Sequence, residues 1–225
     1  MLCSLMIFST FSFGQSKHLS IGDKNNGICF GNAEYYNGLK LTVWENNSLN
    51  FNGLNISLVS TVKHFNGLSF AVLLSDDSIF NGINIGCLGA GAYEMNGFAL
   101  GGITVLSKKI NGLGISGFVL AADTMNGFFI SLVGSTQPKG KLINQVNGVS
   151  MGLLCGVNCQ SLNGLSVGFC NLTATQHGVV VGVINKTSEL HGFQFGIWNI
   201  AENNRFFKHS PVLNFNLRKR LQTDQ

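Results

Sequence analysis

The chain has 225 residues, of which 45% are hydrophobic and 11% are charged, and its formal net charge is +4. Glycine occurs 29 times, whereas proline occurs only 2 times. This composition is typical of a rigid β protein with many turns, and it argues against a chain rich in solvated helices. No segment beyond the first residues has the roughly 18 uninterrupted apolar residues that a membrane helix requires.

Residues 1–14 are predicted to be a signal peptide. The apolar stretch there ends in Ser12-Phe13-Gly14, which puts small residues at the two positions that a signal peptidase recognises, although no lysine or arginine precedes it. We therefore expect cleavage near Gly14 and an exported protein, located at the cell surface, on the outer membrane or outside the cell. Residues 15–25 are expected to lead into or cap the domain that follows.

A polar residue followed by glycine recurs twelve times between residues 26 and 192, and most of the successive glycines are 14 to 16 residues apart. The pair is Asn-Gly in the first ten copies and His-Gly at His177 and His191. A unit this short cannot bury enough apolar surface alone, so repeats must stack on their neighbours. Residues 26–203 are therefore predicted to form an all-β repeat array, a β-solenoid of about twelve coils of ~15 residues.

Within each repeat, apolar residues alternate with small or polar ones. The first and third residues after Gly53, for example, are Leu54 and Ile56, and the apolar residue before the Asn-Gly pair is Phe51. This period of two is typical of a strand with one buried face, and it predicts that these apolar side chains point inward. The fourth residue after each glycine is always small, as at Ser57, which predicts a corner there.

Stacked coils place the asparagines of successive repeats above one another. At a turn, asparagine tolerates the left-handed conformation and can form a hydrogen-bonded ladder with its neighbours. The predicted structural turn ladder consists of Asn52, Asn66, Asn81, Asn96, Asn111, Asn126, Asn147 and Asn163.

The Asn-Gly pair also supports a different fold, because it is a strong signal for a two-residue β-hairpin turn. If every pair reversed the chain, the fold would be an antiparallel meander or an outer-membrane β-barrel. Strands that cross a membrane need about 9 to 11 alternating residues. Here the alternation is interrupted after five to seven residues by the small position, which favours the solenoid.

The titratable residues give little support to an enzyme. The only adjacent acids, Asp76 and Asp77, are expected in a solvated loop between repeats, and a glycan-active solenoid would need them to meet Asp123 or the two histidines in one groove. The histidines are instead predicted to stack about 5 Å apart as members of the ladder. The cysteines show no ligand spacing for a metal and are expected to remain unpaired. We predict no enzyme activity, no cofactor, no metal and no nucleic-acid partner.

Two segments interrupt the repeat period. The longest interval between glycines includes Gln137, Lys139 and Lys141, which we predict to be a binding loop because insertions in repeat arrays are extruded onto one face. Residues 204–225 are predicted to be a C-terminal cap and basic tail. Candidate partners are cell-envelope glycan, lipid head groups or another surface protein.

The last repeats resemble a known group of proteins. The segment HGFQFGIWN at residues 191–199, followed by PVLNFN at 211–216, is similar to the closing repeat of bacterial exported surface-repeat proteins with Gly-apolar-Gln-apolar-Gly-apolar-apolar-Asn units. Residues 164–171 and 178–185 are similar, whereas earlier repeats lack the final asparagine. The resemblance implies an exported or cell-surface protein of unknown biochemical role, with no catalytic residues to carry over. We predict a noncatalytic surface or envelope protein that acts as a structural spacer, an adhesin or a binding platform.

Overall fold

The protein is all-β and forms a β-solenoid of about 11 turns. The computed structural model describes residues 19–23, 25–45, 48–136, 142–205 and 207–217, which contain fifteen strands. The predicted signal peptide, the loop residues Gln137, Lys139 and Lys141, and the basic tail from residue 218 onward lie outside the described residues. The chain falls into two compact units, of which the first ends at Leu100 and the second begins at Gly101.

The first unit begins with an antiparallel pair of strands and continues with parallel ones. Its strands are β1 (Leu19–Asp23), β2 (Asn26–Phe30), β3 (Tyr35–Trp44), β4 (Ser48–Ser60), β5 (Val62–Gly86) and β6 (Gly89–Gly101, whose last residue opens the second unit). β1 is antiparallel to β2, whereas β2, β3, β4 and β5 pair in parallel, one repeat against the next. The long strand β5 extends over the start of two repeats.

The second unit has the opposite arrangement, since its antiparallel pair comes last. Its strands are β7 (Thr104–Ser116), β8 (Val119–Ala121), β9 (Thr124–Ser131), β10 (Gly134–Thr136), β11 (Ile143–Gly152), β12 (Cys155–Val167), β13 (Cys170–Val181), β14 (Ile184–Ala201) and β15 (His209–Asn216). Pairing is parallel from β7 through β14, and β15 runs antiparallel to β14.

The register of these pairs decides between the two folds that the sequence allowed. Gly148 lies opposite Gly127 on one side and opposite Gly164 on the other, and both pairings are parallel. An antiparallel meander would need the chain to reverse at each Asn-Gly pair. The antiparallel alternative is therefore wrong, and repeats stack on one another in the same direction.

The glycine of each Asn-Gly pair has a backbone conformation that other residues avoid. Its φ is +133° at Gly53 and +134° at Gly67, and a Cβ added at Gly67 would lie 2.1 Å from the carbonyl oxygen of Gly53. The close approach of successive turns thus requires glycine at this position. The asparagines themselves have no positive φ, so the expected left-handed asparagine is wrong and glycine alone supplies that conformation.

The large side chains of the core form a column two residues before each glycine. In the first unit this column contains Phe51, Phe65 and Phe80, all fully buried, with ring centroids 5.1 Å and 4.6 Å apart. In the second unit Ile110, Met125 and other buried residues occupy the equivalent position. This part of the predicted core is confirmed.

The rest of the predicted core has the opposite orientation. Leu54 and Ile56, expected inside, are 37% and 39% exposed, whereas Asn55 between them is fully buried. The same inversion recurs at Leu68 and Ser69. A period of two shows that a strand has two different faces, but it does not show which one is buried. In most repeats the inward side chain at this position is short, as at Asn55 and Ser69, whereas the larger Phe129 is buried at the same position in the second unit.

The expected corner at the small residue is also displaced. The small residues Gly86, Ser116 and Ser131 point inward, and the chain bends just after them, at Cys87-Leu88 and Gly117-Phe118 in the corresponding repeats. A short inward side chain leaves room for the bend. The sequence pattern therefore placed the bend one or two residues before its position in the structure.

Candidate interaction face

The outward side chains after each glycine build a continuous apolar surface on the second unit. Parallel register places them in three columns, which we call the apolar face. Column one holds Leu113, Phe128, Val149, Leu165, Val179, Phe193 and Phe215; column two holds Ile115, Ile130, Met151, Val167, Val181, Phe195 and Leu213; column three holds Leu132, Leu153, Phe169, Val183 and Ile197.

Many of these side chains are largely open to solvent. Phe169 is 53% exposed, Phe195 is 42% exposed and Ile197 is 71% exposed. Single exposed apolar residues are common on protein surfaces, whereas contiguous apolar patches larger than a few hundred Å² mark interaction sites. The apolar face belongs to the second kind, because its members adjoin one another on six successive parallel repeats.

A groove runs between columns two and three. Its volume is about 710 Å³, and side chains such as Val181, Phe195 and Ile197 form its walls. The glycines between the two columns, Gly152, Gly168, Gly182 and Gly196, also line it. At Gly168 an added Cβ would lie 2.1 Å from the backbone nitrogen of Gly156, so tight packing keeps this position as glycine.

Charge is segregated away from the apolar face. In each repeat of the second unit, the seven residues that begin with the glycine, such as 164–170 and 178–184, contain no Asp, Glu, Lys, Arg or His. The charged residues Lys186, Glu189 and Glu202 lie in other parts of their repeats. The face is therefore uniformly apolar, with no charge inside it.

The first unit has the same pattern. Leu54, Ile56 and Leu58 are 36% to 39% exposed, and the next repeat presents Leu68, Phe70 and Val72 at 36% to 42%. Lys40 is the only charged residue at the intervening positions among the described residues, and its side chain is fully buried. Outward apolar columns are thus a property of the repeat and recur in both units.

The asparagines that precede the glycines form side-chain ladders in both units. In the first unit, Nδ2 of each residue donates to Oδ1 of the one before it, at distances of 2.7 to 2.9 Å along Asn37, Asn52, Asn66, Asn81 and Asn96. In the second unit the same bonds, of 2.6 to 2.8 Å, connect Asn111, Asn126, Asn147 and Asn163. These asparagines lie within strands rather than in turns, beside the first column of outward apolar side chains.

His177 and His191 continue the position of this ladder. Their rings stack with centroids 4.7 Å apart and an interplanar angle of 8°. This spacing agrees with that expected from the register of successive strands. Among the residues that the structure describes, no group of three or more His, Cys, Asp or Glu is placed to hold a metal ion.

A second, buried amide ladder was not predicted. Nδ2 of Asn171 donates to Oδ1 of Asn185 at 2.9 Å, and Nδ2 of Asn185 donates to Oδ1 of Asn199 at 2.8 Å. Nearby, Nε2 of Gln194 donates to Oε1 of buried Gln176 at 3.0 Å. Asn171, Asn185 and Asn199 are the final asparagines of the repeat motif, and Gln194 is its glutamine. The asparagines therefore satisfy one another inside the protein, and Nε2 of Gln194 is also paired, whereas Oε1 of Gln194 has no hydrogen-bond partner.

The interior of the first unit contains a charged pair. Nζ of Lys40 contacts Oε1 of Glu45 and donates to Oγ of Ser48 at 3.1 Å, and all three side chains are buried. Asn55 and Ser60 donate to the other carboxylate oxygen of Glu45 at 2.9 Å and 3.2 Å. Because a buried carboxylate and ammonium need such partners, this cluster is an internal structural network.

The adjacent acids are also placed differently from the expected solvated loop. Both lie within β5, and although Asp76 is exposed, Asp77 is 3% exposed. The backbone nitrogen of Val62 donates to Oδ1 of Asp77 at 2.7 Å, and Oγ of Ser75 donates to Oδ2 at 3.0 Å. Burial raises the pKa of Asp77 to about 7 despite these bonds. The solvated-loop expectation is wrong for Asp77, because its turn of the solenoid has an inward strand position there.

The described cysteines are free thiols. Cys155 and Cys170 lie opposite each other in the register of β12 and β13, and Cys159 is buried. Burial raises the pKa of Cys159 to about 12, which keeps this thiol protonated and unreactive.

No protein-family model, curated protein sequence or solved structure matches this chain. Within the described part of the chain, no helix has the length and apolar character needed to cross a membrane.

Proposed function

We propose that this protein is a noncatalytic, exported repeat protein of the cell surface or envelope that acts as a binding platform. The apolar face carries this proposal. A spacer requires repeats that stack, but it does not require columns of exposed apolar side chains. A contiguous apolar surface of this extent is typical of an interaction site, which favours a binding platform or adhesin over a spacer.

The position of the titratable groups supports a noncatalytic role. Hydrolysis of a glycan needs two carboxyl groups at a suitable separation that a substrate can reach. The carboxyl groups of Glu45 and Asp77 are buried in the interior of the first unit. The segments that form the apolar face of the second unit contain no acid or base.

Export is supported by the sequence. An apolar stretch followed by small residues at 12 and 14 is typical of a signal peptide. The resemblance of residues 191–199 to the closing unit of exported surface-repeat proteins points to the same location. The asparagine ladders and stacked glycines provide a self-supporting array that suits a protein outside the cytoplasm.

Cell fractionation tests the location. Cells that produce the full chain with a C-terminal tag would be separated into cytoplasmic, envelope and secreted fractions, and intact cells would be treated with protease. We expect the mature chain, shortened near Gly14, in the envelope or secreted fraction. Full-length chain confined to the cytoplasm would overturn the export proposal.

Retention on isolated envelopes tests the platform role. The purified chain would be added to envelopes from the same cells, and the bound fraction would be measured for the wild type and for Val181→Lys. We expect the charge in the centre of the apolar face to abolish binding, because a lysine there must be desolvated without a partner. Ser188→Lys, at an exposed position in β14, is the matched control and should bind like the wild type. Equal binding of all three chains would contradict the proposal.

A further inference from the structure

The apolar face of the second unit is complementary to itself. Columns two and three form two ridges with the groove between them, as at Phe195, Gly196 and Ile197. Ridge residues two apart on a strand are roughly 7 Å apart, and successive strands follow at about 4.8 Å. A second copy presents ridges with the same spacing, so a ridge of one copy can enter the groove of the other.

We propose that this face binds the same face of a second copy of the chain, forming a dimer. The proposal rests on the proposed function, because it names the partner of the binding platform. A two-fold symmetric contact uses one patch on both copies, so each ridge-in-groove contact occurs twice. The two sheets would pack face to face at about 10 Å, with interdigitating side chains, as in a β-sandwich.

The exposed area is sufficient for a stable dimer. Phe169 and Phe215 are 53% and 54% exposed, and a phenylalanine that is half exposed offers about 100 Å². Leu153, Ile197 and others contribute comparable areas, since they are 68% and 71% exposed. About ten such residues supply roughly 1,000 Å², against about 800 Å² for each partner in a stable interface of standard size.

The charge pattern favours a second copy over a lipid surface. Two copies of a face without charges meet without like-charge repulsion and without burying an unpaired ion. Electrostatic attraction to a membrane comes from lysine and arginine on the surface that meets the lipid. The seven-residue segments that form this face contain no basic residue in any repeat of the second unit.

The last strand favours contact through the face rather than through the sheet edge. β15 contains Pro211, which cannot donate a backbone hydrogen bond, and Val212 has a φ of +67°. Both features disfavour the addition of another strand at this edge. Val212 is 73% exposed and lines the groove, so it extends the apolar face instead.

Sedimentation velocity of the purified full chain tests the dimer over a wide range of concentrations. We expect a concentration-dependent dimer for the wild type and for Ser188→Lys. We expect Val181→Lys to raise the dissociation constant by more than about 100-fold, because each symmetric dimer would contain two lysines in the apolar contact. Urea unfolding of each variant checks that the fold is intact. If Val181→Lys does not fold, Ile197→Ser, at a largely exposed position, replaces it and should also weaken the dimer.

Two results would overturn the proposal. A wild type that stays monomeric at all concentrations would show that the face does not bind itself, and a dimer unaffected by Val181→Lys would place the interface elsewhere. Flotation with neutral phosphatidylcholine vesicles distinguishes failure of the dimer proposal from failure of the proposed function. A monomer that binds these vesicles, and loses binding in Val181→Lys, would replace the second copy by a lipid surface but would leave the apolar face as a binding platform.

Discussion

Nδ2 of Asn185 donates to Oδ1 of Asn199 at 2.8 Å, and both side chains are fully buried. Asn185 also accepts from Nδ2 of Asn171, so it joins three successive repeats of the second unit. A buried amide is stabilising only if its partners are present, because an unpaired buried donor or acceptor costs its full desolvation penalty. At this position of its interior, the solenoid thus has polar side chains where many proteins have apolar ones.

Replacement of Asn185 by leucine should strongly destabilise the protein. The substitution leaves Nδ2 of Asn171 and Oδ1 of Asn199 without this partner, and we expect a loss of about 2 to 4 kcal/mol in the free energy of unfolding. Urea unfolding measures the effect. Asn84→Leu is the matched control, because Asn84 is equally buried but neither of its amide atoms has a hydrogen-bond partner. Its stability should be unchanged or raised; equal losses in both variants would contradict this account of the ladder.

Gly67→Ala should destabilise the first unit by more than about 3 kcal/mol. The φ of Gly67 is +134°, and the added Cβ would lie 2.1 Å from the carbonyl oxygen of Gly53, so the two turns would have to separate. Thermal unfolding followed by circular dichroism measures the loss. Ser78→Ala, at an exposed position of the same strand, controls for the substitution and should leave the melting temperature nearly unchanged. A Gly67→Ala chain as stable as this control would be inconsistent with the close stacking of glycines.

Two phenylalanines in one repeat should respond differently to truncation. Phe65 is fully buried and stacks on Phe80, whereas Phe70 is 36% exposed on the outer face. Phe65→Ala should cost about 3 to 5 kcal/mol, as expected for a large buried side chain. Phe70→Ala should cost less than about 2 kcal/mol, because part of its ring already contacts water. Urea unfolding of the pair gives the comparison, and a larger loss for Phe70→Ala would reverse the assignment of inside and outside.

The stability of the first unit should depend on the protonation of Asp77. Its pKa is 3.8 in an unstructured chain and about 7 in the fold, chiefly because of burial. The hydrogen bonds from Val62 and Ser75 oppose this rise, and the charges of Asp76 and Lys40 make smaller contributions, upward and downward respectively. The fold therefore favours the neutral carboxyl group. This contribution to stability is complete below pH 3.8 and is lost as the pH rises toward 7.

Asp77→Asn should remove this dependence, since the amide remains neutral. We expect the urea midpoint of the wild type to decrease relative to that of Asp77→Asn as the pH rises from about 4 to 7. Glu34→Gln, at an exposed position of the same unit, is the control for loss of one carboxylate and should follow the wild type. Parallel pH profiles for the wild type and Asp77→Asn would show that Asp77 is not held neutral by the fold.

The stacking of the repeats could be predicted because it depends on spacing. The Asn-Gly pairs recur at nearly constant intervals, and only parallel, in-register stacking places every asparagine beside the preceding one. Asn52, Asn66 and Asn81 accordingly form consecutive hydrogen bonds. Phe65 could be assigned to the core for a related reason, because a large apolar residue recurs at its position in most repeats.

The orientation of the other strand face could not be predicted in this way. Leu54 and Ile56 were expected inside because apolar side chains are usually buried, but Asn55 occupies the interior. Its side chain donates to Glu45 and Ser60, which lie ten and five residues away along the chain, and the alternation of apolar and polar residues does not indicate these contacts. The burial of Asp77 is not evident from local sequence either, because its partner Val62 lies 15 residues away, although Ser75 is only two residues away.

The alternating pattern that predicted the strands therefore did not reveal the apolar face. The apolar residues after each glycine, which were expected in the core, form the candidate interaction surface, and the residues between them lie in the interior together with the column of large side chains. The predicted binding loop at Gln137, Lys139 and Lys141 remains a prediction. The apolar face provides a separate candidate, and its definition depends on knowing which side of each strand is exposed.

Thiol labelling of two adjacent positions is the most direct test of this orientation. Ser69 is fully buried and Phe70 is 36% exposed, so Ser69→Cys and Phe70→Cys would be made separately in a background in which the native cysteines are replaced by alanine. Reaction with a water-soluble maleimide would be timed for the folded chains and again in urea, where both should react rapidly. We expect fast labelling of Phe70→Cys and strong protection of Ser69→Cys in the folded chain. Fast labelling of Ser69→Cys with protection of Phe70→Cys would show that the apolar residues of this repeat are inside, which would contradict the outward orientation on which the proposed interaction face depends.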